Sequence, residues 1–446
     1  MTQYDHRIRD TQDFLAGISP SMCLAKWTQL SLHLQIGHSH SCHHPAAHKI
    51  RLDEISEDPA NLHNTSFKKL QQQAMLKGDR PDECSYCWKI EDSGGISDRI
   101  WKSAESWSFD FKESVACNTL RNPPYVEVSF DSTCNFKCAY CSPSISSSWM
   151  AEIEQFGAYP TSDKLNDIGI IKWKNKMPIP QREHNPYVEA FWKWWPDLVN
   201  DLRVFRITGG EPLLSKNVWR VLDYLEENKF PELEFAINSN LGVDQTLIDK
   251  LIQKLNKIRP NVKNIFLFTS VDTYGKPAEY IRYGLNYEQF MKNTNNIIEH
   301  TDAILVYMIT VSNLSLIGSK NLFEDILEQK NKFSRRQVQI DTPYLRYPYF
   351  LAVDILPEQY KKYWQDVIDF MESHHDQVNG FADYEIDKSK RVLPIINSAP
   401  NTADTIKHKI DFVKFVDEYD RRRNTSFFTT FPKLLEFYYQ CKELDV

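Results

Sequence analysis

The 446-residue sequence has no apolar run long enough to cross a membrane and no excess of basic charge. Its longest mainly apolar stretch, residues 303–311, is interrupted by Tyr307 and Thr310, whereas a membrane-spanning helix needs about 20 apolar residues. The 53 basic side chains are outnumbered by 60 acidic ones, so the net charge is −7. This balance disfavours a general nucleic-acid binder. The first residues carry no basic stretch followed by an apolar one, so we expect no signal peptide and a cytoplasmic protein.

Glycine is also scarce, with 14 residues in the chain, and there is no internal repeat and no low-complexity tract. Apolar residues make up 41% of the sequence and charged residues 25%, which are the proportions of ordinary folded domains. A largely disordered protein is therefore excluded. The length allows one large domain with a smaller one, or two to three domains.

Strand-like and helix-like segments alternate from about residue 121 onward. Short apolar runs predict strands at 125–130, 202–207, 233–237, 264–269, 303–311 and, more weakly, 337–341. The patterns between them predict helices at 213–228, 244–257, 287–300 and 320–330. This alternation predicts repeated β-α-β units, and hence an α/β fold with a parallel sheet or barrel. Right-handed crossovers would bring the loops that follow the strands to one common face.

Two segments interrupt or follow this alternation. Residues 158–200 form an insert in the first crossover, and Trp192, Trp194 and Trp195 lie near its end. Residues 354–446 are mostly helical in pattern and rich in aromatic residues. We expect these aromatic side chains to pack the insert and a helical C-terminal extension onto the barrel.

Residues 1–100 contain few strand signals, and eight of the 13 histidines lie before residue 64. The clearest element there is a helix that Asn64 or Ser66 would cap. Its apolar face would be formed by Phe67, Leu70 and Ala74.

Three cysteines lie close together directly after the first predicted strand. Cys134, Cys138 and Cys141 have the spacing C-x3-C-x2-C. Three thiolates on one loop can hold three irons of a cubane iron–sulfur cluster and leave the fourth iron free. An open metal position is typical of a catalytic site, whereas a structural site is closed. The alternative is a zinc site with a distant fourth ligand, although zinc sites favour pairs of C-x2-C.

A Gly-Gly-Glu sequence, Gly209 to Glu211, follows the second predicted strand. Glycines let a backbone approach a ligand closely, and the Glu211 carboxylate can meet an ammonium group. This motif, with the cysteine triplet and the aromatic Tyr140 before its last cysteine, resembles the radical S-adenosylmethionine superfamily. The resemblance covers about residues 121–345 and implies that family's partial (β/α)6 barrel.

The resemblance also implies cofactor contacts at the ends of successive strands. The implied binding residues are Tyr140, Gly209, Gly210, Glu211, Ser239, Asn240, Ser270, Arg282 and Asn313. Glu211 would meet the ammonium group of S-adenosylmethionine, and Ser239 and Asn240 would contact the ribose. Ser270 and Arg282 would bind the cofactor carboxylate. The last of the set, Asn313, would lie near the adenine and ribose.

Four further cysteines form a second set in the N-terminal region. Cys23 is followed by 13 residues, then Gly37, four residues and Cys42, and Cys84 and Cys87 form a C-x2-C pair. This arrangement resembles the auxiliary-cluster module called SPASM or, in its shorter form, twitch. The resemblance implies a second [4Fe–4S] cluster bound by these four thiolates within residues 1–110. The family usually places such a module after the barrel, whereas here it precedes it.

The alternative for this second set is zinc. The residues around Cys42 include His38, His40, His43 and His44, and a zinc ion could be held by these side chains together with the C-x2-C pair. If the cysteines hold an iron–sulfur cluster instead, we expect most of these histidines to be solvated.

By this resemblance the chain is an enzyme with two [4Fe–4S] clusters. It would cleave S-adenosylmethionine with an electron from a low-potential donor such as flavodoxin or ferredoxin, and the 5′-deoxyadenosyl radical would remove hydrogen from a substrate carbon. A fully ligated auxiliary cluster suits electron transfer, so we favour an oxidative modification of a peptide or protein. The alternatives are a small-molecule dehydrogenase of the sugar or cyclitol kind and a non-enzymatic metal-binding protein.

Overall fold

Seven parallel strands lie at the centre of the molecule in the computed structural model, which describes residues 3–333, 337–376 and 379–445. The strands of the described chain are β1 Gln29–His33, β2 His38–His40, β3 His48–Lys49, β4 Tyr125–Ser129, β5 Lys137–Cys138, β6 Val204–Thr208, β7 Phe230–Ser239, β8 Val262–Ser270, β9 Arg282–Tyr283, β10 Ile304–Met308 and β11 Val338–Asp341. Nine of them form one sheet in the order β11-β10-β8-β7-β6-β4-β1-β2-β3, and β5 pairs with β9 in a separate two-stranded ladder.

The helices of the described chain fall into three groups. The N-terminal group is α1 Gln3–Ile18, α2 Ala25–Thr28, α3 Leu52–Glu57, α4 Ser66–Leu76, α5 Ser85–Asp92, α6 Asp98–Ala104, α7 Ser106–Phe109 and α8 Lys112–Ala116. The central group is α9 Ser147–Phe156, α10 Ile168–Trp173, α11 Pro186–Asp201, α12 Lys216–Glu227, α13 Gln245–Ile258, α14 Gly275–Ile281, α15 Tyr287–His300 and α16 Ser319–Phe333. The C-terminal group is α17 Lys361–Ser373, α18 Asp383–Lys390, α19 Ala403–Arg423, α20 Phe427–Thr430 and α21 Leu435–Lys442.

The six strands predicted from the sequence are all present and lie side by side in chain order. β4, β6, β7, β8, β10 and β11 are parallel to their neighbours, and the helices between them complete β-α-β units. Amphipathic helices cover the sheet; α12, for example, buries Val218, Val221, Leu222 and Leu225 at helical spacing. The molecule is thus a mixed α/β protein with a central parallel sheet, and the loops after the strands meet at one edge.

The N-terminal region contributes a strand that the sequence pattern did not predict. β1 pairs in parallel with β4, with Gln29 opposite Tyr125 and His33 opposite Ser129. It is short, but Leu30, Leu32 and Leu34 are all buried. Residues 1–110 are therefore joined to the central sheet through β1, while β2 and β3 continue it as antiparallel strands.

The predicted apolar face of α4 is wrong. Leu70 is 61% exposed and Phe67 is also exposed, whereas Lys68 and Met75 are buried. Lys68 points inward because its ammonium group finds polar partners there. The group donates a hydrogen bond to the Gln29 carbonyl oxygen at 3.1 Å and lies 3.0 Å from the Nδ1 atom of His63. The cap is Thr65, between the two residues expected from the sequence.

The insert and the C-terminal extension pack against the sheet through aromatic side chains, as predicted. Trp194 and Trp195 of α11 are buried in the main core, and Trp192 packs against its edge. No helix of the described residues is both long enough and apolar enough to cross a membrane.

Candidate functional site

The three-cysteine loop follows β4 and opens onto a cavity of about 510 Å³ at the carboxyl edge of the sheet. The predicted residues that line this cavity are Cys134, Cys138, Cys141, Tyr140, Gly209, Gly210, Ser239, Asn240, Ser270 and Arg282. The structure therefore brings together nearly all of the site residues expected from the sequence, from the ends of four neighbouring strands and two loops. Glu211 and Asn313 are not in the lining.

The cysteine loop is held from several sides. Its β5 segment pairs with β9, and the Ala139 amide donates to the Ile281 carbonyl oxygen at 2.7 Å. The indole of Trp149 on α9 donates to the Cys138 carbonyl oxygen at 2.9 Å. From the C-terminal extension, Arg423 donates to the Lys137 carbonyl oxygen at 2.9 Å. These contacts fix the backbone that carries the thiols.

The thiols of this loop lie close enough to influence one another. Burial raises the pKa of Cys134 to about 12, and the charge of Cys138 adds to that effect. Burial also raises the pKa of Cys138 and Cys141. A metal centre bound here would keep these groups as thiolates and release their protons.

Among the described residues, the one group of three or more possible ligands whose donor atoms all lie within 4.8 Å is His43, His44 and Asp98. An iron–sulfur cubane in which each cysteine binds a different iron and a zinc site both stay predictions for the two cysteine sets.

Gly209 and Gly210 let the loop after β6 lie directly against the loop that leads to Cys134. A Cβ atom on Gly210 would lie 2.3 Å from the Thr133 carbonyl oxygen, and one on Gly209 would lie 2.9 Å from the Ser129 hydroxyl oxygen. Gly209 also has a φ of +132°, which other residues rarely adopt. The neighbouring Glu211 amide donates to the Thr133 carbonyl oxygen at 2.7 Å. The glycines thus position the cysteine loop as well as opening the cavity.

We expect Gly210→Ala to displace the cysteine loop, because a backbone carbonyl cannot move aside as a flexible side chain can. Overpacking of this kind costs about 1–3 kcal/mol of folding free energy. Thermal unfolding and the iron bound after anaerobic reconstitution measure the effect. Gly17→Ala is the matched control, since a Cβ there meets nothing within 4 Å. Equal iron loading and stability of the two variants would contradict the prediction.

Glu211 is buried beneath the cavity and organises the loop after β7. Its carboxylate accepts hydrogen bonds from the Ser239 hydroxyl at 2.7 Å, the Asn240 amide at 2.7 Å and the Leu213 amide at 3.0 Å. Burial raises the pKa of Glu211 to about 7, although the three hydrogen bonds act in the opposite direction and lower it. Its carboxylate oxygens are thus already engaged by the chain, and the direct ammonium contact that the resemblance implies stays a prediction.

Arg282 forms a buried network with Tyr140 and Asp272. The Arg282 Nε lies 3.0 Å from an Asp272 carboxylate oxygen, and the Tyr140 hydroxyl donates to both oxygens of that carboxylate, at 3.0 and 2.9 Å. A second guanidinium nitrogen of Arg282 lies 3.7 Å from the Cys138 sulfur. Burial would lower the pKa of Arg282, but the charge of Asp272 raises it well above its ordinary value. The guanidinium therefore stays positive, is largely neutralised by Asp272 and lies beside a candidate cluster ligand.

The sequence analysis did not predict Asp272 as a site residue. Its position two residues after β8 is a signal of the same kind as that of Ser270.

The sequence analysis also did not predict the tight packing around Phe136. A Cβ on Gly242 would lie 2.2 Å from the Phe136 ring, and one on Gly284 would lie 2.8 Å from it. The two glycines therefore let the ring fit tightly between loops and hold the cysteine loop in place.

Asn313 has surroundings different from those expected. It is fully buried, its side-chain amide donates to the Phe350 carbonyl oxygen at 2.9 Å, and its backbone amide donates to the Leu351 carbonyl oxygen at 3.0 Å. These bonds tie the loop after β10 to the segment that leads into the C-terminal extension.

The four N-terminal cysteines, Cys23, Cys42, Cys84 and Cys87, line one small enclosed cavity. Burial raises the pKa of Cys42 and Cys84 to about 12 and that of Cys87 to about 11, and each is raised further by neighbouring thiols of the set. Lys26 also lines this cavity. Although burial alone would lower its pKa, the charges of Cys84 and Glu83 raise it. A buried cation therefore lies beside the four thiols.

Gly37 has a packing role in this region. Its φ is +64°, and a Cβ there would lie 2.2 Å from the Tyr187 ring of α11. The glycine between Cys23 and Cys42 thus allows the N-terminal region to lie against the helix that ends the insert.

The expectation that most nearby histidines are solvated is wrong. His38 is buried and bonds the Ile36 carbonyl oxygen at 2.9 Å, and His40 pairs with His33 at 3.0 Å between ring nitrogens. His44 lines the cysteine cavity and lies 2.6 Å from the Asp98 carboxylate, whereas His43 is exposed. Of the four histidines considered as zinc ligands, only His44 adjoins the thiols.

Comparison with known proteins finds similarity to solved structures. No protein-family model matches the chain, and no curated protein matches it. The crystal structure of Streptococcus suis SuiB bound to S-adenosylmethionine is similar at 14% identity with a TM-score of 0.39, over 70% of this chain and 64% of that one. SuiB alone matches at 14% identity and a TM-score of 0.38, and SuiB bound to the precursor peptide SuiA at 13% and 0.38. The match spans less than two thirds of each SuiB chain.

Proposed function

We propose that this protein is a radical S-adenosylmethionine enzyme with an auxiliary [4Fe–4S] cluster. The observation that carries the proposal is the meeting, in one cavity, of the cysteine triplet with the Gly209–Gly210 turn and the polar ends of β7 and β8. A cavity of about 510 Å³ lies within the range of small-molecule and cofactor sites, roughly 300–1,000 Å³.

Cys134, Cys138 and Cys141 would hold the catalytic cluster. With S-adenosylmethionine bound, that cluster supplies a 5′-deoxyadenosyl radical able to remove hydrogen from an unactivated substrate carbon. The open turn of Gly209 and Gly210 leaves room for the methionine end of the cofactor. Asn240 and Ser270 would contact the rest of the cofactor, which is supported by their position in the cavity lining.

Glu211 and Arg282 act on this site in different ways. Glu211 positions Ser239 and Asn240 through one hydrogen bond from each to its carboxylate, and a third hydrogen bond comes from the Leu213 amide. The charge of Arg282 beside the Cys138 sulfur would favour the thiolate form that a cluster requires, although the Asp272 carboxylate offsets much of this effect.

The four N-terminal thiols would bind the auxiliary cluster, with one cysteine for each iron. Full ligation leaves no iron open to substrate, so we assign this cluster to electron transfer. The Lys26 ammonium group would offset part of the negative charge of the cluster and its thiolates.

With an auxiliary cluster that accepts an electron, the favoured outcome is an oxidative modification of a peptide or protein. Dehydrogenation of a sugar-like small molecule is the second candidate. A low-potential flavodoxin or ferredoxin would supply the electron for cofactor cleavage.

The test of the proposed function is formation of 5′-deoxyadenosine. Anaerobically reconstituted protein is incubated with S-adenosylmethionine and dithionite, and the products are separated by chromatography. We expect slow, substrate-independent formation of 5′-deoxyadenosine and methionine. Protein that binds iron but forms neither product would contradict the proposal and support a non-enzymatic metal-binding role.

The auxiliary site is tested by Cys84→Ala combined with Cys87→Ala. The iron content should fall from about eight to about four per chain, while slow 5′-deoxyadenosine formation continues and the oxidised product is lost. Cys117→Ala, which removes an exposed thiol outside both cavities, is the control. Circular dichroism establishes that the double variant is folded. Full conversion of substrate to oxidised product by that variant would show that the N-terminal cluster is structural only.

A further inference from the structure

A second cavity, of about 650 Å³, continues from the cysteine cavity along the insert. The two cavities share Ser142, Leu165, Asn166 and Tyr347. Whatever occupies the second cavity, which we call the insert groove, therefore reaches the cysteine loop directly. Asn166 connects the two by a hydrogen bond from its side chain to the Cys141 carbonyl oxygen at 3.2 Å.

The wall of the insert groove is shaped by backbone that is held in unusual conformations. Lys164 and Asn166 have φ values of +47° and +64°, in the left-handed region that asparagine adopts readily but lysine rarely. Leu165, between them, is buried, and its carbonyl oxygen accepts a hydrogen bond from the Tyr159 amide at 3.0 Å. A lysine in this conformation persists where the surrounding structure fixes it, and such residues are concentrated at functional sites.

The helix α10 on this wall buries none of its residues. Ile170 and Ile171 line the groove, and Trp173 at the end of the helix is 81% exposed. Across the groove, Tyr347 is 55% exposed. Ile170, Ile171 and Tyr347 thus give the groove an apolar lining, and exposed apolar side chains at a site are typical of a surface that binds a partner.

The insert groove carries more positive than negative side chains, whereas the whole chain has a net charge of −7. Lys164, Lys174 and Lys176 line it, and none of the three has an ion pair among the described residues. Its two acidic residues are engaged elsewhere. Asp163 pairs with Lys407 at 2.9 Å, and Asp167 caps α10 by accepting from the Ile170 amide at 2.9 Å. Three free ammonium groups thus face the groove.

We propose that the insert groove binds an acidic peptide segment and presents one of its residues to the cysteine cavity; this rests on the proposed function. Carboxylates of the peptide would pair with the three lysines, and apolar side chains would pack on Ile170, Ile171 and the Tyr347 ring. A single-stranded nucleic acid is the competing occupant. The groove favours a peptide because its lining contains no arginine and has an apolar wall of Ile170 and Ile171, whereas sites for single-stranded nucleic acid stack bases on aromatic rings along a basic groove.

The test measures binding to the full chain by fluorescence anisotropy, without iron or S-adenosylmethionine. The probes are a short labelled peptide of Glu, Ser, Leu and Tyr, the same peptide with every Glu replaced by Lys, and a labelled oligothymidine. We expect the acidic peptide to bind best, and more weakly as salt is raised. The combination Lys164→Gln, Lys174→Gln and Lys176→Gln should weaken its binding about tenfold, as expected for three exposed charge pairs.

Two controls make this test specific. Lys77→Gln with Lys216→Gln and Lys229→Gln removes the same net charge from elsewhere on the surface and should leave binding unchanged. Ile170→Ser removes an exposed apolar side chain from the groove wall and should weaken binding of the acidic peptide without affecting the fold. Equal binding of the acidic and basic peptides, an unaffected groove variant, or tighter binding of oligothymidine would each overturn the proposal.

Failure of the groove and failure of the proposed function are distinguishable. The binding assay needs no cofactor, and 5′-deoxyadenosine formation is measured separately on the loaded enzyme. Loss of peptide binding in the groove variant with intact 5′-deoxyadenosine formation supports the groove as a substrate site. Absence of 5′-deoxyadenosine in the parent protein overturns the enzyme assignment whatever the peptide binding.

Discussion

Replacing Cys134, Cys138 and Cys141 together with alanine is expected to abolish formation of 5′-deoxyadenosine from S-adenosylmethionine. All three thiols line the same cavity, and no other cysteine lies in its lining to take their place. The variant should lose about four irons and retain about four at the N-terminal set. Product chromatography and iron analysis of the anaerobically reconstituted variant measure both effects.

The matched comparison is the N-terminal variant with Cys84→Ala and Cys87→Ala. It should lose the same amount of iron but keep 5′-deoxyadenosine formation, so the two variants separate the role proposed for the three-cysteine cavity from the electron-accepting role proposed for the N-terminal one. If the triple variant still formed 5′-deoxyadenosine, the assignment of Cys134, Cys138 and Cys141 to the catalytic cluster would be wrong. If it lost all its iron, the two cysteine sets would not be independent.

The Asp272→Ala variant should be strongly destabilised. Asp272 is fully buried, and its carboxylate lies beside the Arg282 guanidinium. The distance from the Arg282 Nε atom to an Asp272 carboxylate oxygen is 3.0 Å. Its removal leaves a buried positive charge without a partner, which typically costs about 3–5 kcal/mol of folding free energy. Urea unfolding of the protein without bound iron measures this loss independently of activity.

Two companion variants test the physical reason. Tyr140→Phe removes one hydroxyl from the same network but leaves the ion pair, so it should cost only about 1 kcal/mol. Combining Asp272→Leu with Arg282→Met removes both charges and should recover much of the stability lost with Asp272→Ala. The explanation fails if the double variant is as unstable as Asp272→Ala, or if Tyr140→Phe costs as much.

Regular elements of the central sheet could be predicted because their signals are local and periodic. The helix at 287–300 was predicted with the bounds that α15 has, and the six strands after residue 121 are shifted by only a few residues. β1 was missed because a five-residue strand with two leucines gives little pattern. The face of α4 was misassigned because a buried lysine with hydrogen-bonding partners outweighed the apolar residues on the exposed side.

The candidate site was predictable where the chemistry lies in short motifs. The cysteine triplet and the Gly-Gly turn follow predicted strands, so their convergence could be expected from parallel topology. The Asp272–Arg282 pair and the packing of Phe136 between Gly242 and Gly284 could not, because they depend on which loops touch across the sheet edge. The surroundings of Glu211 depend likewise on the loop after β7.

The place of β1 beside β4 bears on how the protein is made and how it can be shortened. A ribosome releases β1 well before β4 exists, so the N-terminal strand must wait for its parallel partner while the helices α3 to α8 are synthesised. Once the sheet is complete, β1 covers the backbone donors and acceptors along one side of β4. In a truncated protein that began near residue 121, the backbone groups on that side of β4 would have no partner strand. Unpaired strand edges tend to pair with strands of other chains. We therefore expect the N-terminal region to protect the central sheet from aggregation as well.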